Sequence, residues 1–377
     1  MIPVFKPLLE EEEYNACQQV LDIGWLGQGK NVGQFEENLH KLIGGDSNKH
    51  VVALSTGHAA LHLGLLIAGV GPGDEVITPS FNNIADFQAI LATGADIVFC
   101  DIHKDTLSID IDKAAELVTE KTKAIIVTDY GCILCDHDKI NNFAKENNLR
   151  VIHDAAHSIG SKYKGQMVGS FSDICMFSFD PVKTFTCLDG GALVVNTEKE
   201  ADLLREMRLV GMGQPSKVMY QNKRAWTYDV QLLGFRYHMG NMHAAIGNVQ
   251  LNKYEKISMS RLRACKQYSE QLKSLEHIIT PRTNFDEITP FLYYIRVLDK
   301  NRKSLMDHLA KINIDVGVHW EPGHWFSLFK NCRRGDLTIT DQIGEEIMTL
   351  PLHSMMSIET IDKIVDGISK FFRSDKK

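Results

Sequence analysis

No run of basic residues, no long apolar stretch and no second pair of clustered cysteines occurs in this 377-residue sequence. Each absence excludes something. Lys and Arg number 41 against 48 Asp and Glu, a formal net charge of -7, and no basic helix offsets it, so a nucleic-acid surface is not expected. The longest mostly apolar segment, residues 61–70, is too short and too interrupted by glycine to span a bilayer, so no membrane partner is expected. Met1-Ile2-Pro3-Val4 leads into the acidic Glu10 to Glu13 rather than into a basic start and an apolar run, so no secretory signal is read there. The eight cysteines show no disulfide framework, which fits a reducing cytoplasm. Cys132-Ile133-Leu134-Cys135 is the only Cys-x-x-Cys. A zinc site would want a second ligand pair, so a loop at a sheet rim is the simpler reading and no metal is assigned. No Gly-x-Gly-x-x-Gly follows a strand, which disfavours a dinucleotide site. The short, mixed stretch 373–377 reads as a frayed tail.

What is present is an alternation of strands and helices. Apolar strands are expected over 51–54, 75–78, 97–100, 124–128 and 151–153, with helices over 10–21, 35–42, 58–70, 84–92, 111–118 and 138–146. That order implies an α/β fold with a mostly parallel sheet flanked by helices. Ligands in such sheets sit at the C-terminal strand ends, so the loops after Leu54, Thr78, Thr128 and His153 share one rim. Beyond Asn196 come a helix over 198–208, an irregular polar stretch over 211–231 and helices over 241–253 and 258–275. Strand and helix then alternate over 291–297, 304–311, 315–319, 341–347 and 358–371. A large domain of residues 1–250 and a smaller C-terminal α/β domain of residues 251–377 are expected.

One segment concentrates the chemistry. Asp154 ends the apolar strand Val151-Ile152-His153, and Lys183 follows 29 residues later in Phe177-Ser178-Phe179-Asp180-Pro181-Val182-Lys183, before Gly190-Gly191. A lysine amine for a Schiff base, a carboxylate for a ring nitrogen and a serine for a phosphate suit pyridoxal 5'-phosphate. Ser55-Thr56-Gly57-His58 lies between a strand and a helix, where backbone N–H groups and a helix N-terminus favour a phosphate. Other readings stand beside these. Asp154 also suits a helix N-cap, and His157 suits either the cofactor ring or the core. The cluster His319, Trp320, His324 and Trp325 suits a pocket wall or ordinary packing.

The sequence resembles the DegT/DnrJ/StrS-type sugar aminotransferases, pyridoxal-phosphate enzymes of the aspartate-aminotransferase fold (fold type I). The blocks that carry the resemblance run nearly end to end. They are Ser55-Thr56-Gly57-His58-Ala59-Ala60-Leu61-His62-Leu63, Gly73-Asp74-Glu75-Val76-Ile77-Thr78-Pro79, Asp154-Ala155-Ala156-His157, Ser178 through Lys183 to Gly191, Gly234-Phe235-Arg236-Tyr237-His238-Met239-Gly240-Asn241, and Leu350-Pro351-Leu352-His353. The resemblance implies a homodimer with shared active sites. It implies transfer of an amino group from L-glutamate to a nucleotide-linked keto sugar, with Lys183 as the Schiff-base lysine and Asp154 as partner of the ring nitrogen. It places His157 near the cofactor oxygen, and Thr56, Gly57, His58 and Ser178 at the phosphate. Arg236 and Asn241 would reach the neighbouring subunit's site, and Tyr237, His319 and His324 the substrate.

Three positions depart from the family pattern. Asn83 stands where an aromatic residue usually stacks on the cofactor ring, a role that Phe81 or Phe87 would have to fill. His58 replaces a threonine, and Arg236 an asparagine, where an arginine would suit a phosphate or carboxylate. Two alternatives remain: a sugar dehydratase, which carries histidine where Lys183 stands, and a catalytically inactive sugar-binding relative, which Asn83 and His58 would suit.

Overall fold

The structure is a computed structural model and describes residues 1–46, 48–213 and 216–374; the last three positions of the expected frayed tail lie outside the described residues. Eight strands form the main sheet in the order His50–Leu54, Gly191–Val195, Ile174–Ser178, Arg150–Asp154, Thr122–Thr128, Glu75–Pro79, Asp96–Cys100, Arg333–Arg334. All run the same way except Gly191–Val195, which is antiparallel to both its neighbours. Successive strand side chains point to opposite faces. Val52, Leu54, Ile126 and Ile152 therefore pack with helices Gly57–Ile67 and Ile84–Ala92, while Val51, Ala53, Ile125 and Val151 meet Phe35, Leu39, Ile140 and Phe143 on the other side. Burial on both faces explains why these strands read as continuous apolar runs.

Parallel pairing sets the strand ends level. Thr128 pairs with Asp154, and Asp154 with Met176. The turns after Leu54, Pro79, Asp154 and Ser178 thus open on one rim.

A second, antiparallel sheet of Ile278–Ile279, Tyr293–Val297 and Ile347–Leu350 has its own apolar core, closed by helices Tyr254–Leu272, Arg302–Lys311 and Ile358–Ser374. Three expectations are corrected here. Residues 315–319 form no strand: on the edge of Ile347–Leu350 away from Tyr293–Val297, only Gly317 bridges to Thr349. The helix expected over 341–347 is Thr338–Glu346, and Ile347 already belongs to that strand. The helix from Ile111 stops at Ala115, closed by a Leu117 N–H to Ala114 C=O turn. The irregular stretch contains one short helix, Ser216–Met219. The domain boundary expected at residue 250 falls inside helix Asn241–Asn252.

A buried ion pair ties the N-terminal helices to the first strand. Arg208, fully buried, donates to Glu36 Oε1 and to the Ala53 carbonyl, both at 2.6 Å, and to the Tyr220 hydroxyl at 2.8 Å. Glu36 Oε1 also accepts the Ala53 N–H at 2.9 Å. Removing one partner leaves the other charge buried and alone, which costs about 3–5 kcal/mol. Arg208→Ala is therefore expected to lower the chemical-denaturation midpoint markedly; an unchanged midpoint would show that this pair adds nothing to the fold.

Candidate active site

The rim holds a cavity of about 400 Å³. Thr56, Gly57, His58, Asn83, Asp154, His157, Ser178 and Lys183 all line it, so eight of the expected cofactor residues meet in one place. The expected phosphate end is built by close approach. Thr56 Oγ1 caps helix Gly57–Ile67 by accepting the Ala59 N–H at 2.9 Å, while the N–H groups of Gly57 and His58 in the first turn have no helical partner. A Cβ at Gly57 would lie 2.8 Å from Ser178 Oγ, and one at Gly191 would lie 2.3 Å from the Thr56 carbonyl. Glycine at both positions lets the Ser178 strand end and the Thr56 turn touch. Free N–H groups, a helix N-terminus and a serine hydroxyl together fit a phosphate.

At the other end Asp154 is buried. Its Oδ1 accepts the Ala156 N–H at 3.0 Å, and no partner among the described residues hydrogen-bonds Oδ2. Burial pushes its carboxyl up to about 6, against the pull of the Ala156 N–H and Lys183. A ring nitrogen carrying a proton is the partner such a carboxylate lacks. Lys183 Nζ lies over the Phe291 ring, 4.4 Å from its centroid, and makes no hydrogen bond among the described residues. Burial lowers its ammonium from the usual lysine range, opposed by Asp154, Asp180 and Asp86. A lowered lysine has more free amine, the form that attacks a carbonyl carbon. These groups fit pyridoxal phosphate at both ends.

His157 is buried, and its Nδ1 accepts the Gly131 N–H at 3.2 Å, which places one ring nitrogen as an acceptor. Its ring lies 4.3 Å from Phe291 and is near-parallel to Trp320, with centroids 6.4 Å apart. Burial, then Lys183 and His319, hold its pKa well below the histidine range, so it is neutral. Asn83 lines the cavity but is engaged as the cap of helix Ile84–Ala92, its Oδ1 accepting from Ala85 N at 2.9 Å. Neither Phe81 nor Phe87 fills the stacking place. Phe81 packs on Tyr130 and Phe87 on Phe99 and Phe329, away from the cavity. The aromatic wall is Trp320 instead.

The remaining expected residues lie outside this cavity. Arg236 is exposed and lines a separate hollow with Trp25, Trp226, Tyr228 and His238. Asn241 is buried and accepts the Asn31 N–H at 2.9 Å while donating to the Trp25 carbonyl at 3.0 Å, a tether between helices. Tyr237 stacks on Phe235. His319 bonds Thr349 Oγ1 at 2.9 Å, and burial with nearby Lys183 lowers its pKa to about 4. His324 bridges Ser80 and Asp341. Sequence reasoning missed Asn82, Asp86 and Asp189 as cavity residues. The polar residues Asn82, Asn83 and Asp86 shortly after an apolar strand were the available signal for Asn82 and Asp86.

The Cys132–Cys135 loop packs behind Asp154. Cys135 Sγ donates to the Thr128 carbonyl. Asp129 accepts from Cys135 N and Ser158 Oγ and bonds His137 and His153 through their Nε2 atoms at 3.0 and 2.7 Å. Although burial alone would raise it, His153 and His137 hold the Asp129 carboxyl well below the usual range. The Asp129, His137 and His153 ligand atoms lie within 4.8 Å of one another, a spacing open to a cation, and each is engaged in this hydrogen-bond network.

Residues 7–369 match the DegT/DnrJ/EryC1/StrS aminotransferase family. The chain is 31% identical over 97% of its length, and 96% of the relative's, to the spore coat polysaccharide biosynthesis protein SpsC of Bacillus subtilis. Its structure is similar to the aminotransferase TlmJ of Streptoalloteichus hindustanus, with a TM-score of 0.92 at 28% identity and full coverage of both chains. It is also similar to the PMP-form of the putative sugar aminotransferase Spr1654 of Streptococcus pneumoniae, with a TM-score of 0.89 at 28% identity over 98% of each chain. With the cavity, the chain thus belongs to the DegT/DnrJ/EryC1/StrS aminotransferase family and is an aminotransferase that uses pyridoxal phosphate.

Proposed function

We propose that this enzyme moves an amino group from L-glutamate to the keto group of a nucleotide-linked sugar, giving an amino sugar. The observation that carries the reading is the single cavity in which Lys183 Nζ, the open Oδ2 of Asp154 and the Gly57–Ser178 cradle face one another. The relatives named for polysaccharide biosynthesis and sugar amination support the sugar as acceptor. Bound pyridoxal phosphate supplies an electrophilic carbon that takes the amino group and a ring that accepts electron density. This chain's residues do the rest. Asp154 holds the proton on the ring nitrogen. Thr56, Gly57, His58 and Ser178 hold the phosphate. Lys183 would hold the cofactor through its amine and would serve as the base that takes the proton from the donor Cα and returns one to the acceptor carbon. His157 and Trp320 wall the site and keep water from the reacting atoms.

The unit that works is a homodimer with shared sites, in the cytoplasm. Support comes from the loop before Arg236, where Trp226 is 88% and Leu233 79% exposed beside Tyr228 and Val230, apolar surface of the kind a second copy covers. All eight cysteines are free, as a reducing compartment requires, and no helix among the described residues is long and apolar enough to cross a membrane.

The purified enzyme with L-glutamate and a nucleotide-linked keto sugar is expected to release 2-oxoglutarate in step with amino sugar, and Lys183→Ala to lose at least about 100-fold in turnover. Full activity of Lys183→Ala would remove the lysine from the chemistry. Light scattering is expected to give twice the chain mass of 42.4 kDa. The double substitution Trp226→Glu with Leu233→Glu is expected to shift the particle towards the single-chain mass; a wild-type monomer would end the shared-site reading.

A further inference from the structure

Arg261 is fully buried on helix Tyr254–Leu272, and none of the roles above uses it. No carboxylate among the described residues pairs with it, and burial lowers its pKa to about 10, opposed by Cys265. A guanidinium taken out of water without an anion is costly unless its N–H groups are bonded. Here carbonyls stand where an anion would. Nη1 donates to the Phe291 carbonyl at 2.8 Å and to the Leu352 carbonyl at 3.3 Å, and Nη2 donates to the Lys183 carbonyl at 3.4 Å. Phe291 and Leu352 flank the strands Tyr293–Val297 and Ile347–Leu350, so the first two bonds are enough to fasten the helix to the smaller sheet. The third reaches the main sheet, because Lys183 stands in the loop between Ile174–Ser178 and Gly191–Val195.

The residues gripped by the two ends of this fork also meet through their side chains. Lys183 Nζ lies over the Phe291 ring, and that ring is itself fixed. It stacks on Phe5 with centroids 5.4 Å apart and lies 4.3 Å from the His157 ring, and the Phe291 N–H donates to the Gly131 carbonyl at 3.3 Å. The Lys183 N–H, by contrast, bonds within its own loop, to the Asp180 carbonyl at 3.0 Å. At Lys183 the backbone bond that leaves the loop is the one to Arg261.

We propose that Arg261 is a positioning residue for Lys183: one guanidinium fixes the backbones of Lys183 and Phe291 against each other, so that the amine stays over the ring at the wall of the cavity. Arginine suits this task and lysine does not, because a planar fork offers donors in two directions whereas an ammonium is a single point. The inference rests on Lys183 as the lysine that joins the cofactor, and not on the sugar.

The test uses the full chain freed of cofactor and two probes. Pyridoxamine phosphate occupies the site without joining Lys183, whereas pyridoxal phosphate joins it and gives a visible band. Arg261→Lys is expected to bind pyridoxamine phosphate within about twofold of the wild type. Its visible band with pyridoxal phosphate is expected to appear at least about tenfold more slowly, and to fade on adding L-glutamate more slowly by a similar factor, the worth of one bond to a charged group. Tyr268→Phe is the control. It removes the bond from the Tyr268 hydroxyl to the Pro351 carbonyl, 3.0 Å long and on the same helix, without touching the lysine loop. It is expected to keep wild-type band rates even where it lowers the melting temperature. Wild-type band rates in Arg261→Lys would overturn the positioning role. So would an equal slowing in Tyr268→Phe, or a parallel loss of pyridoxamine phosphate affinity in Arg261→Lys, since either marks a general loosening of the fold. If Arg261→Lys does not fold, Arg261→Gln takes its place with the same expectations. A wild type that binds pyridoxamine phosphate but gives no visible band with pyridoxal phosphate would instead overturn the reading of Lys183 on which the inference rests.

Discussion

Burial acts in opposite directions on the two groups that matter most in this protein. It raises the Asp154 carboxyl and lowers the Lys183 ammonium, because taking either charge out of water disfavours the charged form. An acid that resists ionising and a lysine that loses its proton more easily form a site short of a cation. A ring nitrogen bearing a proton would restore that balance and let Asp154 ionise. The same loss of solvent leaves Lys183 with more free amine. Cofactor affinity and nucleophile activation therefore share one physical cause.

The fold delivers that burial by backbone geometry. Parallel pairing of Thr128 with Asp154 and of Asp154 with Met176 levels the strand ends, so that Asp154 and the loop carrying Lys183 open on the same rim. The antiparallel Gly191–Val195 strand then threads between Ile174–Ser178 and His50–Leu54. Because residue 191 has no Cβ, this strand can run against the Thr56 turn, and the phosphate cradle closes. The Glu36–Arg208 pair bonds the Ala53 backbone two residues before Ser55, which anchors that turn from behind. On the far side, the Asp129–His137–His153 network backs Asp154 with hydrogen-bonded polar groups.

Much of this was legible in the sequence. The strands over 51–54, 75–78, 97–100, 124–128 and 151–153 were visible because burial on both faces makes them unbroken apolar runs. Asp154 and Ser178 stood out as polar residues that end apolar strands, and Lys183 as a lysine in the loop after Ser178. What escaped notice has physical reasons. Residues 315–319 have strand composition, but along the outer edge of Ile347–Leu350 they make only the single Gly317–Thr349 bridge, too little for a strand. Phe81 and Phe87 look like ring-stacking candidates by their place near Asn83, yet Phe81 in the turn packs on Tyr130 and Phe87 in the helix packs on Phe99 and Phe329, both in cores away from the cavity. Asp86 escaped because an acid in the first turn of a helix ordinarily faces solvent and favours the dipole; only the folded chain shows it buried beside Asp154.

The most direct measurement is the absorbance spectrum of the purified protein with pyridoxal phosphate, before and after L-glutamate. A visible band from cofactor joined to Lys183, giving way to a near-ultraviolet band as the donor hands over its amine, is the expected result. No visible band at saturating cofactor, or a band that L-glutamate leaves unchanged, would contradict the claim that buried Asp154 and Lys183 form a working amino-transfer site.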